Sequence, residues 1–307
     1  MSGARALPPF LRFSGQPRGE EISPLAASDQ RHVLSIFSNR TTYHLHQDWH
    51  TLPELIRAPS LRCWVARDRG RIQALVGATI IHPPPNPRRA DQPTAWLRMV
   101  FADHATSNLM LDHLWETLID DLRANQIHSI NLLMIDLWIE PAATRWRFQP
   151  SNTVISLRRH SREIPASAIP AGVTLRPATH RDFDAILAVD SAAFEPLWQY
   201  DREMMDLARR HAATLTMLER NGQAVGYQLS TWHIESGHLA RLALLPEEQG
   251  RGLGGLLIED MLHFFGERST YTITVNTQKD NLSSQRLYQK YGFEGVSQQV
   301  AVWTTAI

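Results

Sequence analysis

Lysine is almost missing: the 307-residue chain carries it only at 279 and 290, and every other basic side chain is arginine. Charge of either sign is also scarce as a field. The chain holds 31 basic and 31 acidic residues. Residues 1–172 carry 19 basic against 15 acidic side chains, and residues 173–307 carry 12 against 16. Neither half has the dense basic surface that non-specific nucleic-acid binding requires, so no nucleic-acid partner is expected. There is one cysteine, Cys63, in the apolar run "LRCWVA". An intramolecular disulfide is excluded, which fits a reducing compartment. The apolar setting favours a buried structural thiol over a nucleophile. No apolar run reaches the length that spans a bilayer, about 20 residues, so no membrane association is expected. The opening residues are rich in Pro, Gly and Arg and lack a long apolar core with a cleavage site. They read as an arm over 1–22 rather than a signal peptide, and the chain reads as cytoplasmic.

What is present is a 43% apolar composition, enough for a packed core in a chain long enough for two domains. The segment "HSREIPASAIPAG" has two prolines and ends in glycine, the composition of a linker, placed at 161–172. It separates a domain over 23–160 from one over 173–307. The second half reads as a strand "GVTLRPAT", two helical stretches, then two strands around Asn221-Gly222, the strongest short hairpin signal. A strand "GHLARLALLP" follows, then a glycine-dense loop and a helix from about 253 to 266. Leu253, Leu257, Met261 and Phe265 recur every four residues there, as a core stripe does. A strand "TYTITVNT", a helix ended by Gly292 and a last strand "SQQVAVWTT" complete it. The first half repeats this order. Its "WRFQPSNTVISLRR" has the shape of "YGFEGVSQQVAVW", with Phe148 corresponding to Phe293. Two copies of one mixed α/β (α+β) fold are expected.

The loop "PEEQGRGLGG", 246–255, contains Gly250-x-Gly252-x-x-Gly255, which matches a dinucleotide fingerprint. That site needs its first glycine tight against a strand end, an acidic residue about twenty positions on, and several further βα units. Here four residues intervene, "STYT" supplies no acid, and only about fifty residues follow. A P-loop needs Gly-Lys-Ser/Thr, which is absent. The loop does open a helix, whose first N–H groups and dipole favour an anion. Glycines at 250, 252 and 254 would let a phosphate approach, and Arg251 adds a charge. No metal ligand is nearby. From the loop alone, a plain surface turn stays open.

The run from "LARLALLPEEQGRGLGGLL" through "NLSSQRLYQKYGF" resembles the GNAT acetyltransferase superfamily. Gln249-x-x-Gly252-x-Gly254 after a strand, followed by Asn281, Tyr288, Gly292 and Phe293, carries the resemblance over about 173–307. The resemblance implies two tandem GNAT-like domains, each a mostly antiparallel twisted sheet flanked by helices. It implies acetyl-CoA as acyl donor, no metal, and transfer to a primary amine by direct attack in a ternary complex. By resemblance, the backbone of Leu242, Ala243 and Leu244 pairs with the pantetheine arm. The loop Gln249, Gly250, Arg251, Gly252, Leu253, Gly254 and Gly255 binds the pyrophosphate. Asn281 opens the last helix beside the cofactor, where it also reads as a plain N-cap. Tyr288 is similar to the general acid that protonates the departing thiolate, with Ser284 near the thiol. The first half has "DHATSNLM" in place of the loop and "EPAATRWRF" in place of Asn and Tyr, so it reads as a degenerate copy.

The base is not assigned. Some members carry Glu five residues before the Asn, where this chain has Asn276. Glu235, His233 and His238 lie on or beside the two strands before the loop and are the other candidates. Two functions follow: an amine N-acetyltransferase whose first domain shapes the acceptor cleft, or a non-catalytic acyl-CoA-binding or scaffold protein. The acceptor, a small molecule or a protein amine, is not legible.

Overall fold

A computed structural model describes residues 20–39, 43–84, 92–234 and 236–307. In the first half the elements are β1 (Glu20–Pro24), α1 (Gln30–Asn39), β2 (Tyr43–Leu45), α2 (Leu52–Arg57), β3 (Leu61–Asp68), β4 (Arg71–Ile81), β5 (Thr94–Ala102), α3 (Asn108–Ala124), β6 (Ser129–Leu133), α4 (Glu140–Arg145) and β7 (Gln149–His160). In the second they are β8 (Val173–Pro177), α5 (Phe183–Ala193), α6 (Arg202–His211), β9 (Thr214–Arg220), β10 (Gln223–His233), β11 (Ser236–Leu244), α7 (Leu253–Gly266), β12 (Thr272–Gln278), α8 (Leu282–Lys290) and β13 (Glu294–Ala306). Of the residues expected as an arm over 1–22, Glu20, Glu21 and Ile22 pair with β3. Residues 1–19 lie outside the described part, as does Glu235.

The two halves have the same plan. Phe148 and Phe293, both buried, close equivalent turns: the Phe148 N–H donates to Ala143 O and the Phe293 N–H to Tyr288 O. Arg147 and Gly292 hold the matching positive-φ position, at 62° and 77°. This correspondence sets Ala143 opposite Tyr288, so the first copy has a methyl where the second has a phenol. The hairpin at Asn221-Gly222 forms as its sequence requires, with both φ angles positive.

Among the described residues all strands join one sheet, in the order β1-β3-β4-β5-β6-β13-β7-β12-β11-β10-β9-β8, with β2 on β5. The centre of that order is an exchange. Strand β13, the last of the second half, lies between β6 and β7 of the first half. Strand β7, the last of the first half, lies between β13 and β12. Each half therefore completes the sheet of the other. Leu157 of β7 is buried in the same cluster as Ile258, Phe265, Tyr288 and Phe293. Arg159 of β7 is buried, and its Nε donates to Tyr291 O at 2.7 Å, capping the C-terminal end of α8.

Helices α7 and α8 touch through glycine. A Cβ on Gly254 would lie 2.9 Å from Leu287 Cδ2, and one on Gly255 would lie 2.3 Å from Tyr291 Oη. That hydroxyl donates to Glu259 Oε1 at 2.6 Å, and Glu259 in turn accepts from Ser167 N and Oγ at 2.9 and 2.6 Å. The linker is thereby pinned to α7. Gly255→Ala should force Tyr291 off Glu259 and cost about 1–3 kcal/mol, the range for overpacking a tight contact. The denaturant midpoint of unfolding measures it, and an unchanged midpoint would refute this account of the glycine.

Candidate active site

Strands β11 and β12 run parallel and pair only over Ser236–Leu239 and Thr272–Val275. Beyond that they separate. A bulge helps: Leu229 pairs with Arg241 but Ser230 pairs with Leu239, leaving Ala240 as the extra residue. The edge of β11 over residues 240–244 thus faces an opening rather than a strand. Leu242 packs towards α7 and α8, while Ala243 packs among α5, α6 and β10 on the other face. Leu244 joins Leu253 and Leu257 on the α7 face.

The chain leaves β11 through a short 3-10 turn, Pro246–Glu248, and enters α7. Gln249 Nε2 donates to Leu244 O at 3.2 Å, tying the loop to the strand end. Gly250 and Gly252 have φ of 72° and 81°, a region L side chains avoid, and open space surrounds both. Gly252 is the N-cap of α7 and supplies no side-chain cap. Among the described residues, the N–H groups of Gly250, Arg251, Gly252, Leu253 and Gly254 make no backbone hydrogen bond. They form a cradle at the positive end of the helix. Arg251 stands beside it, 54% exposed and 3.8 Å from Glu248. Glu248 is held more closely by Arg220, at 2.7 Å.

The Gly255 N–H already donates to Gly252 O at 3.0 Å, so Gly255 adds no donor to the cradle. Gly254 and Gly255 lack side chains so that α8 can approach α7, and the buried Leu253 side chain is core.

Asn281 caps α8: its Oδ1 accepts from Ser284 N and from Ser283 Oγ, both at 3.1 Å. Tyr288, one turn after Ser284, is 5% exposed, with its ring 5.8 Å from that of Phe293. It shares a cluster with Leu239 and Val275, against which Leu242 packs, which places it by the separating strands. Burial pushes its phenol up to about 12, against a smaller opposing effect of the Ser284 hydroxyl. Tyr288 therefore carries its proton throughout the neutral and mildly alkaline range.

The base candidates are not gathered in the same way. Asn276, beyond the paired stretch of β12, accepts at Oδ1 from Ser156 Oγ of β7 at 2.7 Å. The first half thus reaches the mouth of the opening. His238 lies within the paired stretch, with Nδ1 2.8 Å from Thr274 Oγ1. Burial, then the neighbouring His233, lowers its pKa to about 4, which makes it a weak base. His233 is exposed, 3.2 Å from Thr231 Oγ1. Among the described residues no three His, Cys, Asp or Glu side chains converge as a metal site would need. Cys63 is buried, and burial raises its thiol to about 12, as suits a structural residue. Among the described residues no helix is long and apolar enough to cross a membrane.

A buried ion pair beside the opening escaped the sequence reading. Arg241 Nε and Nη2 donate to the two oxygens of Asp190, at 2.6 and 2.8 Å, and Tyr227 donates to the same carboxylate. The Arg241 guanidinium lies 3.9 Å from the Phe194 ring centre and 3.6 Å from that of Tyr200. The available signal was one arginine inside "LARLALL" and one aspartate inside "ILAVDSAA", since lone charges in apolar runs are buried only when paired.

The family model described as "Acetyltransferase (GNAT) family" matches residues 181–293. A mycothiol acetyltransferase from Tsukamurella paurometabola is 30% identical over 181 residues, covering 52% of this chain and 61% of the relative. A second, from Pseudarthrobacter chlorophenolicus, is 29% identical and covers 49% of this chain and 52% of the relative. This chain thus spans between half and two thirds of the length of these relatives. A solved tandem GNAT protein from the clavulanic acid biosynthesis pathway aligns with a TM-score of 0.60 at 17% identity, over 94% of this chain and 98% of that one. That likeness is one of fold.

Proposed function

We propose, from the premise that the chain carries an acetyltransferase (GNAT) family domain, that it transfers an acetyl group from acetyl-CoA to a primary amine. One arrangement carries the reading: a cradle of unpaired N–H groups at the start of α7, beside separated strands and a buried, protonated Tyr288. The donor set suits a pyrophosphate, because neutral N–H donors and one arginine meet spread negative charge without a metal.

The bound donor supplies an activated thioester. Gly250, Arg251, Gly252, Leu253 and Gly254 hold its phosphates, Gln249 fixes the loop to the strand, and Asn281 sets the start of α8. The open edge of Leu242, Ala243 and Leu244 orients the arm, and a backbone N–H of that edge polarises the carbonyl. The amine nitrogen forms the new C–N bond as the C–S bond breaks. Tyr288 Oη gives its proton to the departing sulfur, and the nitrogen loses one to solvent. In this reading residues 173–307 do the chemistry, and residues 23–160 lack a cofactor site of their own and shape the acceptor cleft. The acceptor is left as a small-molecule amine or a protein amine. The relatives named mycothiol acetyltransferase favour the small-molecule case.

A second reading, an acyl-CoA-binding protein without turnover, draws on Asn276 being engaged with Ser156 and on the low basicity of His238. Thiol release from acetyl-CoA with alaninamide, Nα-acetyl-lysine amide, ethanolamine and spermidine separates the two. Tight coenzyme A binding with no turnover of any of these amines would favour the second. Arg251→Ala should weaken coenzyme A about fivefold, roughly 1 kcal/mol for a half-exposed phosphate contact. The loss should shrink at high salt in calorimetric titration.

A further inference from the structure

Tyr200 stands in the connection 194–201 between α5 and α6, and both halves of the chain hold it. From the second half, the Arg241 guanidinium covers its ring and Asp190 Oδ2 accepts its N–H at 3.0 Å. Arg241 Nη2 also donates to Trp198 O at 2.6 Å, so one buried arginine fixes two points of the connection. From the first half, Trp49 Nε1 donates to Tyr200 Oη at 2.8 Å.

Trp49 is itself aimed. Strand β2 pairs with β5, and the pairing extends to His46, whose N–H donates to Arg98 O at 2.7 Å. The backbone then turns sharply at Asp48, with φ of 53°, a left-handed conformation costly for a residue other than glycine. Arg98 restrains that turn. It is 1% exposed, its Nη1 lies 2.8 Å from Asp48 Oδ2, and its Nε donates to Thr79 Oγ1 at 2.8 Å. His46 adds no competing charge, because burial and the Arg98 charge lower its pKa to about 3. After the turn, Trp49 meets Tyr200, and His50 lies 3.5 Å from Glu203 of α6. A continuous series of contacts thus runs from the buried Thr79 and Arg98 through the exposed Asp48 and the half-buried Trp49 and Tyr200 to the buried Arg241. Arg241 directly precedes Leu242 on the open strand edge.

Helices α7 and α8, with the phosphate cradle, occupy one face of the sheet. The connection 194–201 lies on the other, with Ala243, so in the acetyltransferase reading it borders the face that the donor's phosphates leave free for the amine.

We infer that Trp49 of the first half is a positioning residue for the acceptor, acting through Tyr200 on the connection 194–201. The inference rests on the acetyltransferase reading above. It gives the half without a cofactor site a defined task in the reaction of the other.

Three full-length variants test it: Trp49→Phe, Tyr200→Phe and the double substitution. Each single change removes the indole–phenol hydrogen bond and keeps an aromatic ring. With whichever of the four amines is turned over, the KM for the amine should rise about fivefold to tenfold in each single variant. The KM for acetyl-CoA and the coenzyme A Kd should not move. The double variant should be no worse than either single one, because the two share one interaction. Amide exchange over 194–201 should quicken, with α7 and α8 unaffected. A merely structural role would lower the melting midpoint and leave the amine KM alone. Unchanged amine KM in both single variants, or effects that add in the double variant, would overturn the inference. If the unsubstituted chain turns over no amine, the acetyltransferase reading fails and this positioning role fails with it. The exchange measurement then reports separately whether the first half orders the connection.

Discussion

Tyr288→Phe is expected to lower kcat about a hundredfold or more, with coenzyme A affinity unchanged. The substitution removes one hydroxyl from a side chain packed against Phe293 within the core. The ring and its contacts remain, so folding and donor binding should survive. What goes is a proton donor, and general acid catalysis contributes roughly 10²–10⁴ in rate. Thiol release by stopped-flow, beside calorimetry with coenzyme A, measures both quantities. The pH profile adds a check with a definite sign. The phenol sits near 12, so it stays protonated as pH rises through the neutral range. No loss of rate on the alkaline side of neutrality should trace to it. Full activity in the Phe variant would remove Tyr288 from the mechanism. A parallel loss of coenzyme A affinity would mean that the hydroxyl binds rather than donates.

A chain of residues 173–307 alone is expected not to fold. Strand β13 has its native ladder partners in β6 and β7, both supplied by the first half. Strand β12 loses β7 from the side away from β11. The cut also removes Leu157 from the core around Tyr288 and Arg159 from the end of α8. An unpaired strand of thirteen residues exposes a row of backbone donors and acceptors that attracts other chains. Size-exclusion chromatography and thermal circular dichroism should show aggregation or a melt without cooperativity. A monomeric fragment with a sharp transition would refute this dependence.

Local signals explain what was legible beforehand. The four-residue spacing of Leu253, Leu257, Met261 and Phe265 marked α7, and Asn221-Gly222 marked its hairpin, because period and turn chemistry are written within a few residues. The matching of Phe148 with Phe293 exposed the repeat. The exchange of β7 and β13 was not legible, because strand partners more than a hundred residues apart leave no periodic trace. The same holds for Asp190 with Arg241, 51 positions apart, and for Ser156 with Asn276, 120 apart. Gly254 and Gly255 were visible as glycines. That they also make room for Leu287 and Tyr291 needed the position of α8.

The exchange also bears on how the protein is made. When residues up to 172 have left the ribosome, the first half has β6 and β7 but nothing to lie between them. In the finished chain residues 294–306 occupy that place. The nascent first half must wait, edge exposed, through the synthesis of the whole second half, and a holding chaperone is best placed to act in that interval.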